Sequence, residues 1–463
     1  MSRHSYCLSR RLSGKLHFFP ALLPLVEIIP LVLTALGALA GGVGFASRKL
    51  RKVLVLSLLC FAVAGGIVIA AMPDKEVRDD GSRAVLAENL PITTTVKAYQ
   101  KQAAVTALPR FTDLWTVKTK HQLLSSPVVS HGVLVIGTYK DTVEAYALHN
   151  GDLLWHFQQD EPMFTVGKGP GNIVFAGEGL HHTQSAALTA LTVPEGKVQW
   201  QREFLGHIES APQVSADEKT IYLPTGPGGI WAVRVADGRV VWHQAIGHID
   251  STPMIDGNTI YAAAQPDEAK QESLFYALRA DTGKVKWQTP LPGMPWGRAA
   301  LSVDGKRLLT STGLGQIGVQ KDTDRGWAMA LDPKNGKLLW QRDLENMPVE
   351  PGSYLPESDI MIHTLKSGKI IAVQGHDGST AWEADIGSKF MASGTLIRRT
   401  GKSTLLAATT ADGTFTIRDA ATGAELARRL VLKGGSSAPV VEGDRIYVAT
   451  PYRLYAFGGI GSL

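Results

Sequence analysis

The 463-residue chain holds only two cysteines, Cys7 and Cys60. Everything after them therefore has neither a disulfide nor a thiolate metal site. A net positive balance is also missing from most of the chain. The formal balance is +5, yet residues 1–72 alone carry +7 through Arg3, Arg10, Arg11, Lys15, Arg48, Lys49, Arg51 and Lys52 against Glu27, which leaves −2 for the remainder. Basicity belongs to the N-terminal segment, so nucleic-acid binding is not indicated. Nucleotide and nucleophile signatures are absent too. GLGQIG at 313–318 has dinucleotide-type glycine spacing but sits in a strand–loop–strand unit with no following helix. HGVLVIG and HDGST lack a serine elbow, and His181-His182 stand in a loop without partners at metal-ligand spacing.

What the N-terminus does have is apolar length. Ile28 to Ala46 is a charge-free run of 19 residues and Val53 to Met72 one of 20. Each is long enough to cross about 30 Å of hydrocarbon. SRKLRK lies between them, and the positive-inside rule puts this loop in the cytoplasm with everything after the second span outside. Pro20, Pro24, Glu27 and Pro30 make the first span irregular, so a re-entrant hairpin is an alternative. SRRLSGK at 9–15 resembles a twin-arginine export signal and Ala38-Leu39-Ala40 a peptidase site, which keeps a cleaved leader open as a second alternative. Leu59 before Cys60 is wrong for lipoprotein processing. Residues 1–72 are thus expected to be a membrane anchor with one or two transmembrane helices in the bacterial inner membrane. Residues 73–111, charged and without strong periodicity, read as a tether.

The rest of the chain is organised by one spacing. A glycine closes a tight turn and a tryptophan follows four positions later: Gly151/Trp155, Gly196/Trp200, Gly238/Trp242, Gly283/Trp287, Gly336/Trp340 and Gly378/Trp382. Gly423 makes a seventh copy, with Ala427 in place of the tryptophan. Glycine supplies the positive φ such a hairpin needs. Alanine usually stands six residues before the glycine. Successive tryptophans lie 45, 42, 45, 53 and 42 positions apart, and a period in the forties with several strands per unit means propeller blades. Small-residue–Pro steps open many units (Ser126-Pro127, Ala211-Pro212, Thr252-Pro253, Ala438-Pro439), and VLVIGT, TIYLPT, TIYAAA and RIYVAT supply second strands. The last unit runs out after three strands. DLWTVKT at 113–119 matches the missing fourth, with Trp115 in register. The expectation is an all-β, eight-bladed propeller over 112–460, closed by its own N-terminal strand so that no terminal edge stays unpaired.

The motif Ala-Leu-x-x-x-Thr-Gly-Lys-x-x-Trp, complete at Ala277–Trp287, resembles the tryptophan-docking repeat of the PQQ-like eight-bladed propellers. The resemblance covers most of the chain, and it implies a structural role for Trp115, Trp155, Trp200, Trp242, Trp287, Trp340 and Trp382 between blades. Two branches share the repeat. One comprises the quinoprotein dehydrogenases, whose glucose-oxidising members also carry N-terminal spans; the other is a non-enzymatic scaffold branch typified by BamB of the outer-membrane β-barrel assembly machinery. A dehydrogenase would hold a quinone and Ca²⁺ at the axis beside a carboxylate base, and the family builds that site from long insertions. Here the blades are near minimal, interrupted only at Gln265–Ser273 and Gly313–Gly326. The expectation is a non-catalytic periplasmic scaffold without cofactor or metal that binds envelope proteins through propeller loops. A PQQ/Ca-dependent dehydrogenase or PQQ-binding sensor is the alternative.

The loops joining successive blades gather on one face, where a site is expected. Two are near-copies, His207-Ile208-Glu209-Ser210 and His248-Ile249-Asp250-Ser251, and His121 precedes Pro127 at a similar offset. These loops present imidazoles and carboxylates, open to a metal or small ligand or else simply copied by repeat duplication. Elsewhere the loops are apolar: Met163 with Phe164, Met294 with Trp296, and Phe390 with Met391. Exposed, they would form a partner-binding rim. Otherwise they fill the inner ends of blades.

Overall fold

A computed structural model of the chain describes residues 112–463, apart from 268–271, 295–296, 316–320, 322, 351, 432–433 and 435–436. The expected spans, the tether and Trp296 lie outside the described residues. Among the described residues no helix is long and apolar enough to cross a membrane.

Strands β1 to β32, numbered in chain order, form eight antiparallel sheets of four strands each. The first complete blade shows why the sequence folds this way. Pro127 stands just before β2 (Val128–Ser130), as Pro212, Pro253 and Pro439 stand before the first strands of their blades. Proline cannot donate to a ladder, so it is placed where pairing begins. Strands β3 (Val133–Gly137) and β4 (Thr142–Ala147) are buried at every position, because neighbouring blades cover both of their faces. The outermost strand β5 (Leu153–Gln158) alternates exposed and half-buried residues, as a strand with one packed face must. Each of the eight apolar clusters is shared by two adjacent blades. One, for example, joins Phe175, Leu188 and Trp200 to Ile221, Leu223 and Val233 of the next blade.

Closure occurs as the sequence predicts. Strand β1 (Thr112–Lys118) pairs antiparallel with β32 (Arg453–Gly458), and with β31 (Arg445–Thr450) and β30 (Val440–Glu442) the last blade has the order β1-β32-β31-β30. Trp115 falls opposite Ala456. The same cross-strand pairing recurs around the ring: Ala145 faces Trp155, Ala190 faces Trp200, and Ala232, Ala277, Ala330 and Ala372 face Trp242, Trp287, Trp340 and Trp382. The small residue makes room for the large one beside it.

Each tryptophan is a rivet to the following blade. Its indole N–H donates to a backbone carbonyl there: Trp115 to Leu148 at 3.0 Å, Trp200 to Val235 at 2.7 Å, Trp382 to Ala420 at 3.0 Å, and Trp155, Trp242, Trp287 and Trp340 likewise. The turn glycine of that next blade lies against the indole face. At Gly238 an added Cβ would sit 2.7 Å from the Trp200 ring, and φ there is +69°, so the position needs glycine for two reasons. The seam between the seventh and eighth blades is the exception, and its cause is topological. The eighth blade has no hairpin between β32 and β1, hence no turn for a tryptophan to dock on, and Ala427 occupies that place. Ile417 stands opposite it where the other blades have alanine, so the bulk is moved across the pair instead of lost. An ion pair between Arg429 and Asp113, with the Arg429 guanidinium 5.5 Å above the Phe457 ring, ties this seam instead.

Candidate functional site

Antiparallel four-stranded blades place the inter-blade loops and the turns between second and third strands on one face. Backbone bridges stitch the two sets together: Met294 to Gly313, Phe390 to Thr410, His248 to Gln265 and Ile249 to Gly226. At these places the loop face is tied together by backbone pairing.

Its most concentrated chemistry gathers where the second, third and fourth blades meet. His207 lies in the loop after β9 (Val198–Leu205), and His248 and Asp250 lie in the loop after β13 (Val240–Gln244). His207 Nε2 is 3.0 Å from Asp250 Oδ1, and His248 Nε2 is 2.9 Å from the same oxygen. The two rings stand 5.0 Å apart between centroids. A third imidazole joins them: His181, in the loop between β7 (Ile173–Gly177) and β8 (Ser185–Thr192), has centroid distances of 5.5 Å to His207 and 5.1 Å to His248. Sequence spacing leaves His181 without partners, and the fold supplies them by bringing three loops together. Glu209 stands at the edge, 3.9 Å from His207.

The electrostatics are strongly divided. Burial alone would raise the Asp250 carboxyl, but hydrogen bonds to His207 and His248 outweigh it and hold this acid well below the ordinary carboxylate range. Burial, followed by the charge of Asp250, pushes Glu209 up to about 7 against the opposing pull of both imidazoles. Two carboxylates of the same site are thus shifted in opposite directions.

His121 does not reach this group. Its Nδ1 is 2.8 Å from Glu144, whose other oxygen accepts the Tyr146 hydroxyl at 2.5 Å. Burial, with that acid as its neighbour, holds the Tyr146 phenol far above its usual range. The similar offset of His121 in the sequence reflects a shared loop position, not a shared site.

The apolar loop residues divide. Met163 and Phe390 are 0% and 1% exposed, which removes them from any contact surface. Met163 packs over Gly137, where an added Cβ would lie 2.1 Å from the Met163 carbonyl oxygen; both residues fill the inner ends of blades. Phe164, Met294 and Met391 are half-buried and remain at the surface.

A separate buried group has its own consequence. His363, in β23 (Ile360–Thr364), is wholly enclosed with neither ring nitrogen hydrogen-bonded, and burial lowers its pKa to about 4 from 6.5. The unfolded chain binds a proton there that the folded chain excludes. This contribution to stability is complete above pH 6.5 and drains away as pH falls toward 4, by about 3 kcal/mol in all. Urea midpoints measured at pH 7.5, 5 and 4 should fall more steeply for the native chain than for His363→Leu.

The family model described as "Outer membrane protein assembly factor BamB" matches residues 93–289 and 366–458, more than half of the chain. The chain belongs to this family. Among curated relatives it is 23% identical to the outer membrane protein assembly factor BamB of Yersinia pestis, over 47% of this chain and 53% of that protein. It is 26% identical to the quinoprotein alcohol dehydrogenase PedH of Pseudomonas putida, over 47% of this chain and 36% of that one. The chain spans about half the length of the curated BamB relatives it matches. The crystal structure of BamB from Moraxella catarrhalis superimposes with a TM-score of 0.55 at 16% identity, covering 76% of this chain and all of that one. That likeness establishes the PQQ-like fold, to which both assembly factors and dehydrogenases belong.

Proposed function

We propose that this BamB-family propeller is a non-catalytic scaffold of the bacterial envelope. Residues 28–46 and 53–72 hold it in the inner membrane, and its ring faces the periplasm. The observation that carries the reading is the loop face itself. Several of its loops are pinned by backbone bridges, and the face displays the half-buried apolar side chains Phe164, Met294 and Met391. A surface ordered in advance binds a partner with little further loss of conformational entropy. Relatives named as outer membrane protein assembly factors support a role in envelope assembly.

The fit of a quinone–calcium site speaks in the same direction. Calcium takes six to eight oxygen ligands. Among the described residues, the grouping of three or more metal-ligating side chains is three imidazoles and one carboxylate, which does not suit that ion. PedH-like relatives nevertheless keep the dehydrogenase as a second reading, and reduction of a dye by the full chain with PQQ, Ca²⁺ and an alcohol would establish it.

Photo-cross-linkers placed at Phe164, Met294 and Met391 in cells test the scaffold reading. The expected result is discrete adducts with envelope proteins from this face. Probes at Asn172 and Lys306, in hairpin turns on the opposite face, should give none. Replacing the three apolar residues together by serine should reduce partner recovery about tenfold or more, since a few buried anchors carry most interface energy. Adducts only from the turn face would refute the assignment.

A further inference from the structure

We propose that His181, His207, His248 and Asp250 form a binding site for one divalent transition-metal ion of the zinc type. Each offers one donor atom, and the four donors all lie within 4.8 Å of one another. A tetrahedral zinc shell with bonds of about 2.0–2.1 Å sets its donors roughly 3.3 Å apart. Asp250 already meets both buried imidazoles at 2.9–3.0 Å. Closure therefore requires movement mainly of His181, the exposed member of the set.

Three features favour a metal over a proton-held cluster. First, three imidazoles and one carboxylate brought within reach of one another are the ligand set a zinc-type ion prefers. Second, His207 is fully buried, and with Nε2 engaged by Asp250 its Nδ1 has no hydrogen-bond partner. An orphaned buried nitrogen calls for an explanation, and an imidazole kept in a buried site for its Nε2 lone pair is one. Third, the backbone is organised in advance. His248 exchanges hydrogen bonds with Gln265 in both directions at 2.8 and 2.9 Å, and Ile249 does so with Gly226 at 3.0 and 3.2 Å. The space an added Cβ would take at Gly226 is occupied by the His207 ring, 2.4 Å away. Ser210 Oγ donates to the Asp250 carbonyl at 2.5 Å, locking one loop to the other. Ligands mounted on fixed loops lose little freedom when an ion arrives.

Such an ion would cross-link the second, third and fourth blades at the loop face. Oxygen-only cations such as Mg²⁺ should be excluded, because nitrogen donors predominate.

The test uses the tag-free full chain in detergent, stripped with chelator and titrated with Zn²⁺ and separately with Co²⁺. One equivalent should bind at neutral pH, raise the melting temperature, and give visible d–d bands with Co²⁺. Mg²⁺ should do neither. His181→Ala alters an exposed residue and should leave the fold intact while weakening Zn²⁺ binding about 100-fold and bleaching the Co²⁺ bands. Asp250→Asn should weaken binding similarly, and His121→Ala, outside the cluster, should not change it. Absence of a stoichiometric site in the native chain would overturn the proposal. So would binding by His181→Ala as tight as that of the native chain.

Discussion

A chain lacking Thr112–Lys118 is expected to lose the cooperative unfolding transition of the ring and to associate through its exposed strand edge. The segment is short, yet it contributes at two places. It is the fourth strand of the last blade, paired with β32 from Thr112↔Gly458 to Lys118↔Arg453. It also carries the tryptophan that docks the eighth blade on the first: Trp115 donates to Leu148, and its ring lies against Gly151. Backbone bonds from Thr119 to Tyr452 and from Leu123 to Pro451 continue the closure beyond the strand. The preceding seam has no docking tryptophan of its own, and Arg429 reaches across it to Asp113, so removing the strand takes a contact from both seams of that blade. An unpaired β32 would then present a free row of N–H and C=O groups. Trp115→Ala separates the two effects: with the strand retained, truncating the indole should cost about 3–5 kcal/mol. Urea melts and sedimentation of the two variants give the comparison. A truncated chain that stays monomeric and unfolds at the native midpoint would show that the ring holds without closure.

The architecture was legible because one local constraint is written out in nearly every blade. Glycine at the turn, tryptophan four residues on and alanine across from it are coupled by contact, so their repetition fixed the blade length, the register and the closing strand. Ala427 read as a defective copy. Its meaning needed the topology, since the turn that would receive a tryptophan there does not exist. The site was half legible. The duplicated loops bearing His207 and His248 pointed to one face, but His181 belongs to a different loop, and its distance along the chain says nothing of its distance in space. A histidine in the second-to-third-strand turn of the blade preceding a duplicated His loop is the signal that would have found it. The apolar rim was over-read for a related reason. Met163 looks exposed in a loop, and its complete burial becomes visible only in the folded ring.

The second large effect is expected at Lys366. Its ammonium lies 2.7 Å from Asp324 Oδ2, with the two side chains 2% and 1% exposed. Asp324 Oδ2 also accepts the Lys321 backbone N–H at 2.9 Å. The pair joins the loop leading into β20 (Arg325–Leu331) to the turn before β24 (Lys369–Gln374), two strands of adjacent blades. Charges so enclosed have given up hydration that their mutual attraction roughly restores, so the intact pair adds little net stability, but removing one partner leaves the other a buried charge without its counter-ion. Lys366→Met should therefore destabilise the ring by about 3–5 kcal/mol, and Asp324→Asn should do comparable harm for the mirror-image reason. The double variant leaves no buried charge unmatched, so its loss should be smaller than that of either single change, and a double-mutant cycle in urea reads the coupling directly. If the two losses simply add, the groups do not compensate one another and the seam depends on something other than this ion pair.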